Sequence, residues 1–396
     1  MVTQKKQTLS AEEARQLHYK ALVFDSQAPP ATRSYIFTDS MRDALEVALD
    51  NGMAPDQAIG LVTNMVVDEL QRSTSARNEY LDLWAKSGVT AASVTCAGPG
   101  DIEQAFDKAV KAIADTRAIA DALQDDMAII LNSNGVERAY QENKHGFIID
   151  FQDTTPFGSD LGRIELFYNL GLRVVQLTYN LRNLVGDGCL EFHASGLSYF
   201  GKQVVQRLNE LGVVVDVSHS SEQVGWDALN VSSTPIAITH SFSSNFFQHD
   251  RGKSDQLSKA IADKGGYFGV LIVPGFLQDK GPVTTLDDVA DHLQHMVNVI
   301  GIDQVGIGSD LTGNIIQSSG HTSKAVQREL GRVNRFDWTG FRKEHRVTQE
   351  YKMEGYTNFG DWPNITVKLA ERGFTEEELR KLLGLNFLRY FREVVG

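Results

Sequence analysis

Along the chain, hydrophobic and polar positions alternate between two kinds of segment. Short β-branched, apolar runs recur at "ALVFDSQ" (21–27), "VTAASVTCAG" (89–98), "HGFIIDFQ" (145–152), "VVQLTY" (174–179), "VVVDVSH" (213–219), "PIAITH" (235–240), "YFGVLIVPGF" (267–276) and "VGIGSD" (305–310). Near-continuous apolarity is the pattern of parallel strands covered on both faces. Between them apolar residues fall every third or fourth position, as in Ile102, Phe106, Val110 and Ile113, or Leu197, Phe200, Val204, Leu208 and Leu211 before Gly212. A further stripe, Leu286, Val289, Leu293, Met296 and Ile300, stops at Gly301. Each stripe is one face of an amphipathic helix closed by a glycine. Eight strand-and-helix units in succession predict a (β/α)8 TIM barrel, a single α/β domain over residues 1–396. An open doubly wound sheet is the competing arrangement, but no Gly-x-Gly-x-x-Gly follows a strand.

Two segments are too long to be simple connections. Residues 28–88 hold the helical patterns "MRDALEVALDNG" and "DQAIGLVTNMVVDELQR" and read as a helical insertion after the first strand. Residues 311–363, a long loop after the eighth strand, carry Phe336, Trp338, Phe341, Tyr351, Tyr356 and Trp362 among many charges. Long insertions at this end of a barrel usually surround the active-site mouth, although a homo-oligomer contact or plain surface cover would use them equally well. Near the carboxy terminus "FTEEEL" sets Thr375 and Glu378 as a capping box, with Phe374 and Leu379 as a hydrophobic staple.

Composition narrows the partners. Lys and Arg total 38 against 51 Asp and Glu, a net charge of -13, and no basic run is interleaved with aromatics, so nucleic acid is not expected. Cys96 and Cys189 lie far apart with no Cys-x-x-Cys spacing and read as small core residues in a reducing compartment. Lys5 and Lys6 are followed by no apolar stretch, and no segment approaches the roughly 20 apolar residues that span a bilayer. The expectation is a cytoplasmic protein with a small-molecule substrate and no membrane contact.

In a barrel, side chains at the carboxyl ends of the strands meet at one mouth. Here those ends supply Gln27, Gln152, Tyr179, His219, His240 and Asp310. One strand-end histidine is more often a hydrogen-bonded support than a ligand. Two on adjacent strands, with the terminal Asp310, make a site: the imidazoles are placed to share a metal, and Asp310 to bind it or take a proton from water. His292 and His295 in "HLQH" have a ligand-like spacing but sit on a helix away from the mouth and read as structural.

The run "GLRVVQLTYNLRNLVGDGCLEFHASGLSYFGKQVVQRLNELGVVVDVSHSSEQ" (171–223), with "PIAITHSFSS" (235–244) and "VGIGSDLTG" (305–313), resembles the renal or membrane dipeptidase family of zinc metallopeptidases. The likeness covers residues 145–396 well and the first ninety poorly. It implies an amidohydrolase-like barrel, two zinc ions bridged by a carboxylate, and hydrolysis of a dipeptide. By position it implies that His219 and His240 hold one metal, that Asp310 serves the other and handles the proton, and that Arg251 in "HDRGKSD" helps hold substrate. Elsewhere the chain departs from the family pattern. Gln27-Ala28-Pro29 stands in place of a His-x-Asp pair, Gln152 in place of the bridging glutamate, and Tyr179 in place of a substrate-polarising histidine. A neutral amide is a poor ligand and proline offers none.

Without the bridging carboxylate two dications repel uncompensated, so one divalent ion, zinc, is expected on His219 and His240, with Asp310 or Gln152 beside them. The reading is a metal-dependent hydrolase of a dipeptide or small amide, with Asp310 as ligand or base and Tyr179, Arg251, Gln27 and Gln152 around the substrate. Two alternatives stand beside it. One is a barrel enzyme with changed chemistry, a lyase, isomerase or decarboxylase acting on a small carboxylate; the other is a noncatalytic relative using the insertion 28–88 as a contact surface.

Overall fold

The computed structural model describes residues 9–28, 36–311, 340–347 and 351–396. Eight parallel strands form the barrel wall: β1 Phe24–Asp25, β2 Ala91–Ala97, β3 His145–Phe151, β4 Leu172–Gln176, β5 Val214–Asp216, β6 Ala237–Ser241, β7 Tyr267–Val270 and β8 Val305–Ile307. Each pairs in parallel with the next in this order. Each overlaps one of the eight apolar runs. Backbone bonds from Ser26 N to Ile307 O (3.0 Å) and from Asp310 N to Gln27 O (2.8 Å) join β1 to β8 and close the ring.

Off the barrel path lie strands that the pattern did not predict: Met127–Ile129, and Val283–Thr285 paired in parallel with Lys352–Glu354. Met127–Ile129 forms a short strand beside the start of β3, with Met127 opposite His145. Between β1 and β2 run three helices, Asp39–Asp50, Pro55–Arg72 and Thr74–Ser87. Thr38 and Ser73 cap the first and third by accepting from the amides of Met41 and Ala76. Pro29, Phe336 and Trp338 lie outside the described residues.

Asp25 fastens the seam between first and last strands. Its carboxylate accepts from Ser309 N (2.8 Å), Ser309 Oγ (2.5 Å) and Gln27 N (3.2 Å). Trp362, fully buried on the helix Trp362–Glu371, donates Nε1 to the same carboxylate at 3.0 Å. One buried carboxylate therefore fixes both the turn after β1 and the end of β8, the two places from which Gln27 and Asp310 project. At the carboxy terminus the Thr375–Glu378 capping box forms as expected. His292 is buried and bonded through Nε2 to Leu277 O (2.9 Å), while His295 pairs with Asp255 (3.1 Å), so both hold their helix in place. Cys96 and Cys189 are both free thiols.

Inside the barrel, β7 and β8 come close to β6 because they present glycines. A Cβ on Gly269 would sit 2.0 Å from the Thr239 carbonyl and 2.6 Å from Ser26 Oγ; one on Gly308 would sit 2.2 Å from the same carbonyl and 3.1 Å from His240 Cβ. The approach brings the backbone at Gly308 against His240. Gly269→Ala is expected to cost about 1–3 kcal/mol, because a strand carbonyl cannot yield cheaply. Urea unfolding measures it, and an unchanged midpoint would contradict the close approach.

Candidate metal centre

His219 and His240 leave the ends of β5 and β6, and a buried carboxylate between the two strands shapes both exits. Asp216 Oδ1 accepts from Ser218 N (3.0 Å) and Ser218 Oγ (2.5 Å), which bends the chain just before His219. The same oxygen accepts from Thr239 N (3.0 Å), and Oδ2 accepts from Thr239 Oγ1 (2.7 Å). Ser218 Oγ in turn accepts from His240 N at 3.1 Å. The two histidines are thus stitched to one another through Asp216, Ser218 and Thr239.

Their Nε2 atoms face each other 3.0 Å apart, and the other ring nitrogens tell where the protons are. His219 Nδ1 lies 2.6 Å from the Asn180 side-chain oxygen, an acceptor, so Nδ1 carries the hydrogen. His240 Nδ1 lies 2.8 Å from Thr239 Oγ1, whose own hydrogen points to Asp216, so here too Nδ1 donates. Both Nε2 atoms then present lone pairs to the same point. Burial holds both imidazoles well below their ordinary pKa, with the Arg251 charge acting in the same direction. Neither gains a proton at neutral pH to relieve the contact. Two buried lone pairs aimed at each other repel unless a cation lies between them, so this pair fits a metal ion.

Asp310 completes the group. One ligand atom from each of His219, His240 and Asp310 falls within 4.8 Å of the others, with both histidines buried and Asp310 half-buried. Its backbone is left-handed (φ +52°), an uncommon setting for a residue other than glycine, and the hydrogen bond from its amide to Gln27 O holds it there. Burial pushes its carboxyl up to about 7, opposed by Arg251 and reinforced by Asp25 and Asp216. Tyr179 stacks on His219 with ring centroids 4.2 Å apart and planes at 16°.

Among the described residues no second group of three His, Cys, Asp or Glu ligand atoms comes together beside this group. Gln27 donates Nε2 to Thr95 Oγ1 (2.8 Å) and to Asp150 Oδ2 (3.2 Å), which fixes its amide as part of the wall. Gln152 is buried, and its Nε2 has no hydrogen-bond partner among the described residues. Asp150, which accepts from Gln27, has its carboxyl pushed up to about 7 by burial. Arg251 is wholly buried, with its terminal nitrogens donating to the carbonyls of Ser218 and His240 and its Nε without a hydrogen-bond partner among the described residues.

Sequence reasoning did not single out Asn180, Asp216 or Thr239. Each sits one to three positions from a residue that was chosen, and that proximity was the available signal.

A closed parallel barrel with two imidazoles and a carboxylate at the carboxyl ends of its strands is a (β/α)8 protein with a metal-type centre at its functional end. The family model for membrane dipeptidases, peptidase family M19, matches residues 71–330, and the chain belongs to that family. It is 26% identical over 280 residues to dipeptidase tcpJ of Claviceps purpurea strain 20.1; the match covers 70% of this chain but only 57% of that protein's length. An amidohydrolase from Pseudomonas aeruginosa superposes with a TM-score of 0.70 at 27% identity, covering 98% of this chain and 100% of its own. The probable dipeptidase PvdM of the same organism gives 0.72 at 20% identity over 97% and 98% of the two chains, a likeness of fold. The structural likeness therefore takes in described residues of the first ninety, where the sequence resemblance is poor.

Burial of these carboxylates sets a pH dependence. Folded Asp25 and Asp150 hold their protons up to about 6 and about 7, against 3.8 for a free aspartate. Folding therefore takes up protons in that window, and stability is greatest below about pH 4 for these groups and falls as pH rises toward about 7. Asp150→Asn is expected to flatten that fall, measured by urea unfolding of metal-free protein across the window. An unchanged slope would mean that Asp150 is ionised throughout.

Proposed function

We propose that the protein is a metal-dependent hydrolase acting on a dipeptide or small amide, with one divalent ion, zinc, held by His219, His240 and Asp310. The observation that carries this reading is the pair of Nε2 lone pairs converging 3.0 Å apart in a buried site. A bound zinc ion supplies Lewis acidity toward a water molecule and the scissile carbonyl oxygen.

The chain's own residues do the rest. Asn180 and Thr239 fix the tautomers that turn Nε2 toward the centre. Asp310, half-buried at the mouth, is both ligand and the acceptor for the proton released by the attacking water. Tyr179 lies over His219 and orients substrate against it. Gln152 brings an unpartnered amide donor suited to a substrate oxygen, and Gln27 lines the wall beside it. Arg251 keeps the substrate role that the resemblance implies: its buried Nε has no hydrogen-bond partner among the described residues, while its terminal nitrogens donate to the Ser218 and His240 carbonyls.

A single ion is favoured because amides replace the charge that a second dication would need. Gln27 and Gln152 add hydrogen-bonding capacity but no negative charge. A cytoplasmic setting fits the two free thiols, and the small-molecule substrate class fits the family. Among the described residues no helix is long and apolar enough to cross a membrane.

The test is purified protein stripped by chelation, resupplied with zinc, and assayed on a panel of dipeptides and N-acyl amino acids. Hydrolysis that returns with zinc is expected. His240→Ala should lower it by roughly a hundredfold or more, since losing a ligand removes several kcal/mol of charge stabilisation. Bound zinc without hydrolysis of any member would overturn the hydrolase reading and favour changed chemistry behind the two amides.

A further inference from the structure

We propose that the substrate is an N-acyl amino acid, an amide with a free carboxylate at one end and no ammonium at the other, rather than a free dipeptide. The inference rests on the hydrolase reading above and narrows it. The two kinds of substrate differ at one place. In a dipeptide the ammonium sits on the carbon next to the scissile carbonyl, within about 5 Å of an ion bound to the carbonyl oxygen. A cation held so close to a dication, and out of water, needs a carboxylate beside it.

The charges around this centre have the opposite sign. Arg251 and Lys253 are both buried against the strand ends that carry the histidines: Arg251 donates to the carbonyls of Ser218 and His240, and Lys253 Nζ to Ser220 O at 2.6 Å. Burial first, and then both of these charges, hold the imidazoles of His219 and His240 well below their ordinary pKa, so the positive field reaches the centre. Asp310 is the carboxylate of the ligand group and is taken up by the ion. Asp216 is bonded to Ser218 and Thr239, Asp25 to Ser309 and Trp362, and Asp153 to Tyr179 N (2.8 Å) and Asn183 Nδ2 (3.0 Å).

Where further acids could stand the chain has amides. Gln27 and Gln152 are neutral, and from Ser26 to Tyr35 the sequence has no Asp or Glu and one cation, Arg33. Asp150 is the remaining candidate for an ammonium. It is buried, accepts from Gln27, and has its carboxyl pushed up to about 7 by burial, so at neutral pH it stands half protonated.

An N-acyl amino acid keeps the end that this field favours. Its carboxylate meets Arg251, whose buried Nε has no hydrogen-bond partner among the described residues, and its acyl end brings no charge. In the reaction the oxygen of water bonds to the acyl carbon, the C–N bond breaks, and the departing nitrogen takes a proton, which leaves a carboxylic acid and a free amino acid.

The experiment uses matched pairs on the zinc-loaded protein, such as N-acetyl-alanine and glycyl-alanine in L and D forms, which differ only by the ammonium. The acetyl member is expected to show a kcat/KM higher by about a hundredfold or more at neutral pH, since like charges brought together cost several kcal/mol. The ratio should narrow above about pH 8, where the dipeptide amine loses its proton. Titration of Lys253 acts on both members and cancels in the ratio. Dipeptides hydrolysed as well as their acetyl partners, with a ratio flat across pH, would overturn the proposal. So would a dipeptide rate lost selectively in Asp150→Asn, which would assign the ammonium to Asp150. If neither member is hydrolysed, the hydrolase reading fails, and calorimetry of the same pairs on the protein as purified decides the specificity. N-acetyl-alanine bound about tenfold or more tighter supports it; equal binding, or none, refutes it.

Discussion

Two neutral imidazoles with lone pairs aimed at one another at 3.0 Å form a contact that costs stability unless a cation lies between them. In a buried setting the repulsion is little screened, and protonation, the usual relief, is opposed by burial and by the Arg251 charge. Much of the surrounding structure maintains that contact. Asn180 and Thr239 take the Nδ1 hydrogens, Asp216 aligns Thr239 and bends the chain at Ser218, and the glycines of β7 and β8 bring the wall in behind His240.

In the proposed reading, charge balance inside the barrel favours a single ion. Asp25, Asp150, Asp216 and Asp310 all have carboxyls raised by burial, and each is engaged differently. Asp25 closes the β1–β8 seam and Asp216 joins β5 to β6, so neither is free to act as a ligand. Asp150 holds the Gln27 amide. In the proposed reading Asp310 meets one dication together with two neutral imidazoles, and the amides of Gln27 and Gln152 bring no charge for a second. On that reading the amides of Gln27 and Gln152 form a hydrogen-bonding wall where the resemblance would put ligands.

The barrel was legible in the sequence because strands covered on both faces must be apolar almost throughout, and each of the eight runs overlaps a strand. The polar residues ending those runs stood out for the same reason. Met127–Ile129 escaped notice because a three-residue apolar run carries no period that separates a strand from a helix end. Asn180, Asp216 and Thr239 were missed because their roles depend on which atoms of neighbouring strands come into register, which one strand's pattern does not encode. Arg251 was placed against substrate by position in a motif. Its burial, and the two carbonyls it bridges, exist only once β5 and β6 are side by side.

The central claim is that the facing imidazoles mark the place of one cation. Anomalous diffraction at the zinc edge from crystals grown with zinc tests it most directly. One peak is expected, bonded to His219 Nε2, His240 Nε2 and the Asp310 carboxylate, with none beside Gln27 or Gln152. Two peaks, or a zinc-free cluster with the Nε2 atoms still in contact, would contradict the account.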